Sequence, residues 1–241
     1  MKVGDDLLWL KGYLTKKTFL EIGIVILGIA SILIAIVTYY GQNAGNFVMQ
    51  VDEETYRRSI ILCDEPEFIS PTPRLLSKAI VGVRDITYDW IDTETVKNTN
   101  GNYTSEYYKY IAYTFYIKND GNETCDLAMT MEISSMEGTI DGAIRVLIIK
   151  EDETETMYMK KDDPEMIDEN TYDDSFPKNI KYFENDKTIF SEEVYNFLPQ
   201  EVNKYTVIIW LEGQDPDCND TVLGGKIKFR LLFSILNDGE E

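Results

Sequence analysis

The first pattern along the chain is a long apolar run near the N-terminus. Residues 19–40 read FLEIGIVILGIASILIAIVTYY, with no charged side chain from Ile22 to Val37. As an α-helix this run would be about 33 Å long, which is enough to cross a bilayer. Two tyrosines at its far end suit the membrane interface. We therefore predict a transmembrane helix over residues 19–40, with the anchor residues Phe19, Ile22, Val37, Tyr39 and Tyr40.

The charges that flank this run predict its orientation. Lysines precede it, the last being Lys17, and no basic residue follows it until Arg57. Because positive charges stay on the cytoplasmic side, residues 1–18 are predicted to be cytoplasmic and residues 41–241 extracellular, at the cell membrane. A cleaved signal peptide is the alternative, but the sequence YYGQNAGNF after the run offers no A-x-A cleavage site.

After residue 45 no helical period of any length appears. Short segments either alternate between apolar and polar residues or are wholly apolar, and Gly, Asn, Asp and Pro separate them. This pattern predicts a mainly β fold, an antiparallel β-sandwich of the jelly-roll or Ig-like type. The predicted strands are Asn46–Val51, Ser59–Leu62, Ile80–Tyr88, Tyr107–Lys118, Leu127–Ser135, Ala143–Lys150, Thr154–Met159, Ile189–Tyr195, Lys204–Glu212 and Lys226–Ile235.

The last two predicted strands indicate which faces are buried. The last strand has an apolar face and a basic face. The apolar face consists of Ile227, Phe229, Leu231, Phe233 and Ile235, and the basic face of Lys226, Lys228 and Arg230. In residues 205–211 both faces are apolar, as in a central strand that is covered on both sides. Earlier in the chain, Asn119-Asp120-Gly121 follows a Tyr-rich strand and predicts a hairpin turn.

Acidic residues are concentrated between residues 151 and 188. We interpret about 151–188 as an acidic insertion between strands of the same extracellular domain. The whole chain has 23 basic and 43 acidic residues and a net charge of −20. Such a field repels nucleic acid and attracts divalent cations or basic partners, so nucleic acid is not expected as a partner.

Composition removes several catalytic mechanisms. The chain has no histidine, which excludes Ser-His-Asp and Cys-His catalysis and the commonest ligands of catalytic zinc. Acidic residues are abundant, but nothing selects a pair of carboxylates for glycosidase chemistry. We therefore predict that the protein is not an enzyme, and a surface glycan-acting enzyme is the least favoured alternative.

The turn after the WLEG segment contains the candidate metal site. Asp215-Pro-Asp217-Cys-Asn219-Asp220 matches the first half of an EF-hand loop, with oxygen donors at positions 1, 3 and 5. The match then fails, because Asp220 replaces the loop glycine and Lys226 replaces its final glutamate. One interpretation is a looser calcium site formed by Asp215, Asp217, Asn219 and Asp220. The other is a solvated acidic turn with no metal, and no further cofactor is predicted.

The three cysteines show no CxxC spacing, so neither a zinc ribbon nor a thioredoxin-type site is expected. Cys125 and Cys218 both lie in loops near the ends of predicted strands, so a disulfide between them fits an extracellular location. Cys63 would then be left over. Unpaired thiols are the alternative.

The order of these elements resembles a known family. The hydrophobic helix is followed at once by YYGQNAGNFVMQVDEE, and then by a Tyr- and Asn-rich β-domain that contains YTFYIKNDGNE. This layout is similar to the TasA/camelysin-like exported proteins of Gram-positive bacteria. The resemblance implies a jelly-roll matrix or fibre protein, and some members of the family assemble by donating an N-terminal strand to the next subunit. Phe47, Met49 and Val51 alternate in the matching place. The long hydrophobic run without a convincing cleavage site departs from the family pattern.

These patterns predict a single-pass cell-surface protein whose acidic β-domain serves structure or interaction. Its expected partners are the membrane, other surface proteins or copies of itself. The alternative is a subunit of an extracellular fibre or pilus-like filament, assembled by strand donation or by bundling of hydrophobic helices. For a type IV pilin, the Gly-Phe junction is missing before Phe19, and Glu21 is not at the usual fifth position.

Overall fold

The structure of the protein is a computed structural model that describes residues 16–42, 45–161, 177 and 179–236. The chain divides into two compact units, and the boundary lies between Ala44 and Gly45. Each unit is described by itself below.

The first unit contains helix α1, Lys16–Gln42, which covers the whole predicted apolar run. The large apolar side chains described between Ile22 and Ile34 are exposed. Within the described residues, no helix meets the length and apolarity that crossing a membrane demands.

The second unit is built from short strands with two single-turn helices, α2 (Glu53–Arg57) and α3 (Thr93–Lys97). The strands are β1 (Phe47–Val51), β2 (Ile60–Cys63), β3 (Arg74–Leu76), β4 (Gly101–Asn102), β5 (Ile111–Asn119), β6 (Cys125–Glu137), β7 (Ile144–Lys150), β8 (Glu155–Met159), β9 (Ile180–Tyr182), β10 (Thr188–Phe197), β11 (Val202–Leu211) and β12 (Lys226–Ile235). Tyr88–Trp90 and Asp220–Val222 form 3-10 turns. The prediction of a mainly β fold is confirmed.

These strands form two mixed sheets. Sheet A has five strands in the order β10-β6-β12-β1-β3. Sheet B has seven strands in the order β2-β5-β11-β7-β8-β9, with β4 also paired to β5. The pairs β1–β12 and β8–β9 are parallel and the remaining pairs are antiparallel. The prediction of an antiparallel sandwich is therefore wrong for these two pairs, and both sheets are mixed. Because β1 and β12 are far apart in the sequence, no tight turn forces them to run in opposite directions.

A shared core lies between the two sheets. On β12 the predicted apolar face is buried at Ile227, Phe229, Leu231 and Phe233, while Lys226 and Lys228 are exposed. Phe233 of sheet A contacts Phe115 of sheet B, with ring centroids 6.1 Å apart. The predicted inward face of β12 is confirmed.

The β11 strand is covered on both faces, as its sequence predicts. Every residue from Tyr205 to Leu211 is buried. One face contributes to the core between the sheets, and the other packs in a second apolar cluster with Ile91 and Val96. The segment around α3 therefore packs on the outer face of sheet B.

Two local predictions are wrong. Ile80–Tyr88 is not a strand in the described part of the chain, and Ile86 alone makes an isolated bridge, to Glu212. The apolar residues of this segment do not mark a half-buried strand, since Val81 and Val83 are exposed. The turn at Asn119-Asp120-Gly121 does not close a hairpin, because β5 belongs to sheet B and β6 to sheet A. Strands β5 and β6 instead each pair within their own sheet, and both contribute side chains to the same core.

The predicted acidic insertion, about 151–188, is partly integral to sheet B. Strand β8 lies within it, pairs with β7 and is buried from Thr156 to Met159. Strand β9 also lies within it. Residues 162–176 lie outside the described residues.

Candidate functional site

Strand β1 carries the residues predicted for assembly, and they are buried in their own domain. Phe47 and Met49 are completely buried and Val51 nearly so. β1 pairs with β12 on one side and with β3 on the other.

Further hydrogen bonds hold the beginning of β1. The Asn46 side chain accepts from the amide of Ile80 at 2.8 Å, and the Phe229 amide donates to the Asn46 carbonyl at 2.8 Å. The Ser77 hydroxyl accepts from the Phe47 amide at 3.1 Å. Just before them, a Cβ on Gly45 would lie 1.8 Å from the Ser77 carbonyl oxygen, so only glycine fits this close approach.

The turn predicted as a calcium site begins with a buried ion pair. Arg145 donates to the carboxylate of Asp215, and both side chains are completely buried. The second Asp215 oxygen accepts from the Asp217 amide at 2.7 Å. Next to it, the buried carboxylate of Glu212 accepts from the Trp210 indole at 2.8 Å and from the Gln214 amide at 3.1 Å. The charged groups thus fix the end of β11 to the beginning of β7.

The other predicted calcium ligands have local roles in the turn. The Asn219 side chain accepts from the Thr221 amide at 3.0 Å and so caps the following 3-10 turn. Asp217 packs against Gly142, where an added Cβ would lie 2.5 Å from the Asp217 carboxylate. Asp220 is exposed. In the part of the chain that the structure describes, no group of three or more Cys, Asp or Glu side chains is placed to hold a metal ion. Calcium binding here stays a prediction.

The structure does not bring Cys125 and Cys218 together. Both are free thiols, as is Cys63. Cys125 lies beside Asn119, whose amide bonds to Glu201 just before β11, whereas Cys218 lies beyond the other end of that strand. A strand of this length spans about 30 Å, and a disulfide requires Cα atoms within about 7 Å. Burial, followed by nearby carboxylates, raises the pKa of Cys218 to about 11, so this thiol stays protonated at neutral pH.

The predicted anchor residues Phe19, Ile22, Val37, Tyr39 and Tyr40 all lie within α1. Ile22 is exposed, and the side chains of the other four lie outside the described side chains.

A groove that the sequence analysis did not predict opens on the surface of the second unit. Its volume is about 330 Å³, and its walls are residues 77–81 and residues 102–112. The Lys109 ammonium crosses between the walls and donates to the Val81 carbonyl at 3.0 Å. A second link joins the Lys78 amide to the Asn102 side chain at 2.7 Å. These two bonds link one wall of the groove to the other.

Aromatic rings dominate one wall of this groove. Tyr107 is 83% exposed, and the Ser105 hydroxyl accepts from the amides of Tyr107 and Tyr108, both at 3.3 Å. The Tyr108 ring stacks on Trp90 with centroids 5.3 Å apart. Deeper in the wall, burial raises the pKa of Tyr110, so its hydroxyl stays protonated at physiological pH. The sequence signal for this wall is the cluster NYTSEYYKY, residues 102–110, and the predicted strand Tyr107–Lys118 includes its second half.

An ionic cluster joins the two sheets at another edge. Glu192 of β10 accepts from Lys150 and Lys181, both at 2.9 Å, and from the Tyr158 hydroxyl at 2.5 Å. Burial acts to raise the pKa of Glu192. Hydrogen bonds from these three partners outweigh it and lower that pKa to about 2. Glu192 is therefore ionised at neutral pH and ties sheet A to sheet B.

Comparison with known proteins identifies no relative of this chain. No family model, no curated protein and no solved structure matches the chain. The likeness to TasA/camelysin-like proteins stays a hypothesis, and the function is argued below from the residues themselves.

Proposed function

We propose that this chain is a single-pass cell-surface protein that presents its acidic β-domain for interaction. The observation that carries the proposal is the place of β1, the first strand after the helix. It lies inside sheet A between β12 and β3, with Phe47 and Met49 completely buried. A domain that contains its own first strand is complete as a single chain. This favours a tethered domain over a subunit that receives this strand from a neighbour.

Helix α1 is the proposed tether. Its described apolar side chains are exposed between Ile22 and Ile34, and the sequence has no charge from Ile22 to Val37. Lysines before the apolar run, the last being Lys17, and the lack of any basic residue from there to Arg57 support a cytoplasmic N-terminus and an extracellular β-domain.

For the fold of the extracellular domain we propose a jelly roll rather than an Ig-like sandwich. The chain alternates between the sheets, with β5, β7 and β11 in sheet B and β6, β10 and β12 in sheet A. Ig-like sandwiches contain more hairpins whose two strands pair within one sheet. The parallel pairing of β1 with β12 is a departure from a wholly antiparallel jelly roll.

The aromatic groove is the proposed interaction surface, and the proposed role is binding rather than catalysis. A preformed concave site with aromatic walls and a few polar side chains is typical of ligand binding. Among the described residues that line the groove, Glu106 supplies the single carboxylate. Glycosidase chemistry normally requires two facing carboxylates, so the lining gives no support to that activity.

Deleting residues 1–51 tests the tethered domain against the fibre subunit. A tethered domain loses an internal core strand, so the truncated chain should unfold or aggregate. A control that deletes residues 1–43 keeps β1 and should stay soluble and folded by circular dichroism.

The opposite outcome would favour the fibre. The 1–51 deletion would then be a soluble, folded monomer that binds an added Asn46–Glu53 peptide, because main-chain pairing in an open groove provides the affinity.

A further inference from the structure

We propose that the aromatic groove binds a neutral oligosaccharide. This inference rests on the proposed function, because it names the ligand class of the same interaction surface. It follows from three properties of the groove, which are its aromatic faces, its local charge and its polar edges.

The aromatic faces suit a sugar ring. Tyr107 presents most of its ring to solvent, and Trp90 and Tyr108 form a stacked pair next to it with Trp90 52% exposed. Aromatic faces carry a negative quadrupole, which attracts the polarised C–H groups on the apolar face of a pyranose. Exposed aromatic rings without a ligand leave apolar surface in water, so stacking on them is favourable.

The local charge selects a neutral ligand. The chain carries a net charge of −20, yet the charged residues that line the groove are Lys78, Lys109 and Glu106. The two ammonium groups disfavour a cationic ligand at the aromatic faces. The overall negative field of the protein repels a polyanion. A neutral molecule is repelled neither by the ammonium groups nor by the negative field of the protein.

The polar edges suit hydroxyl groups. Lys78, Glu106 and Lys109 are exposed at the groove, and the Lys109 ammonium keeps donors beyond the one used by Val81. Charged side chains that bond to neighbouring hydroxyls give orientation and specificity, while the rings give apolar contact. A proline-rich peptide also stacks on aromatic grooves, but it offers few donors and acceptors to such charged edges. At about 330 Å³ the groove is near the lower end of small-molecule sites, which favours a short saccharide.

The test is a titration of the full-length chain, held in a sugar-free detergent, with cellotriose, chitotriose and mannotriose. Binding is followed by calorimetry and by Trp fluorescence, since Trp90 adjoins the groove. We expect at least one of these saccharides to bind. Tyr107→Ala should weaken that binding about tenfold, as expected for the loss of one aromatic contact. Tyr107 is largely exposed, so this variant keeps its fold.

Tyr195→Ala is the matched control. Tyr195 is 61% exposed on β10, at the opposite edge of sheet A from β3, and its removal should leave saccharide affinity unchanged. The inference is overturned if none of the three saccharides binds, or if Tyr107→Ala binds as tightly as the unmodified chain.

Two further probes separate the ligand class from the proposed function. Preferential binding of decaproline or polygalacturonate that requires Tyr107 would overturn the neutral saccharide and leave an interaction domain in place. A β-domain that external protease cannot reach in intact cells would instead overturn the proposed surface function.

Discussion

Arg145 donates to Asp215 in the interior of the protein, and neither side chain has exposed surface. Removing one partner breaks this buried ion pair and takes away a hydrogen bond to the charged group that remains. We expect Asp215→Ala to lower the free energy of unfolding by about 3–5 kcal/mol, measured by urea denaturation. Asp220→Ala, an exposed position in the same turn, should change it by less than about 0.5 kcal/mol.

The same pair offers a second comparison. The double variant Arg145→Met with Asp215→Leu removes both members of the ion pair together, so part of the stability lost in Asp215→Ala should return. Equal stability of Asp215→Ala and the unmodified chain would show that the pair does not stabilise the fold.

The role of Asp215 also bears on calcium. Because its oxygens are already bonded to Arg145 and to the Asp217 amide, we expect millimolar Ca²⁺ to leave the melting temperature of the full-length chain unchanged. A ligand that binds the native state raises that temperature by mass action. A rise that disappears in Asp217→Asn with Asp220→Asn would restore the calcium site.

Glu192 predicts a stability change at acid pH. Its pKa falls from an ordinary 4.5 to about 2 in the folded protein, so the native state favours the carboxylate. The stabilisation is complete above about pH 4.5 and is lost as pH falls towards about 2. Between these limits, the stability difference between the unmodified chain and Glu192→Gln should shrink with falling pH, as measured by urea denaturation.

Glu193→Gln is the control for this measurement, since Glu193 is exposed on the same strand. Its stability difference from the unmodified chain should vary little over the same pH range. A pH-independent difference for Glu192→Gln would contradict the assignment of the low pKa to Glu192.

The proposed orientation predicts the pattern of external proteolysis. Protease added to intact protoplasts should remove the β-domain and leave a short fragment, detected through an N-terminal epitope tag. The reason is that residues before the helix would be shielded by the membrane while the domain is outside. Survival of the β-domain until the membrane is broken would reverse the orientation.

Much of the strand pattern could be predicted from the sequence because each strand buries one or both faces. The alternation in β12 and the continuous apolar run in β11 reflect their places in the sheets. Sheet membership could not be predicted in this way. Asn119-Asp120-Gly121 favours a tight turn in any sequence, yet the chain uses it to pass from one sheet to the other.

The candidate site was harder to predict, because it depends on contacts between distant segments. Nothing in the local sequence indicates that Arg145 pairs with Asp215. The sequence alone therefore predicts either a solvated acidic turn or a metal-binding loop. The groove likewise requires residues 77–81 to lie against residues 102–112. Its Tyr-rich sequence was visible, but periodicity alone assigned Tyr107–Tyr110 to a strand that begins at Ile111.

The bond between Asn46 and Ile80 has a mechanical consequence. Asn46 directly precedes β1, and Ile80 belongs to one wall of the groove. A displacement of Asn46 is therefore passed directly to that wall of the groove. The beginning of β1 and the groove are thus mechanically coupled, so a change in the position of one shifts the other.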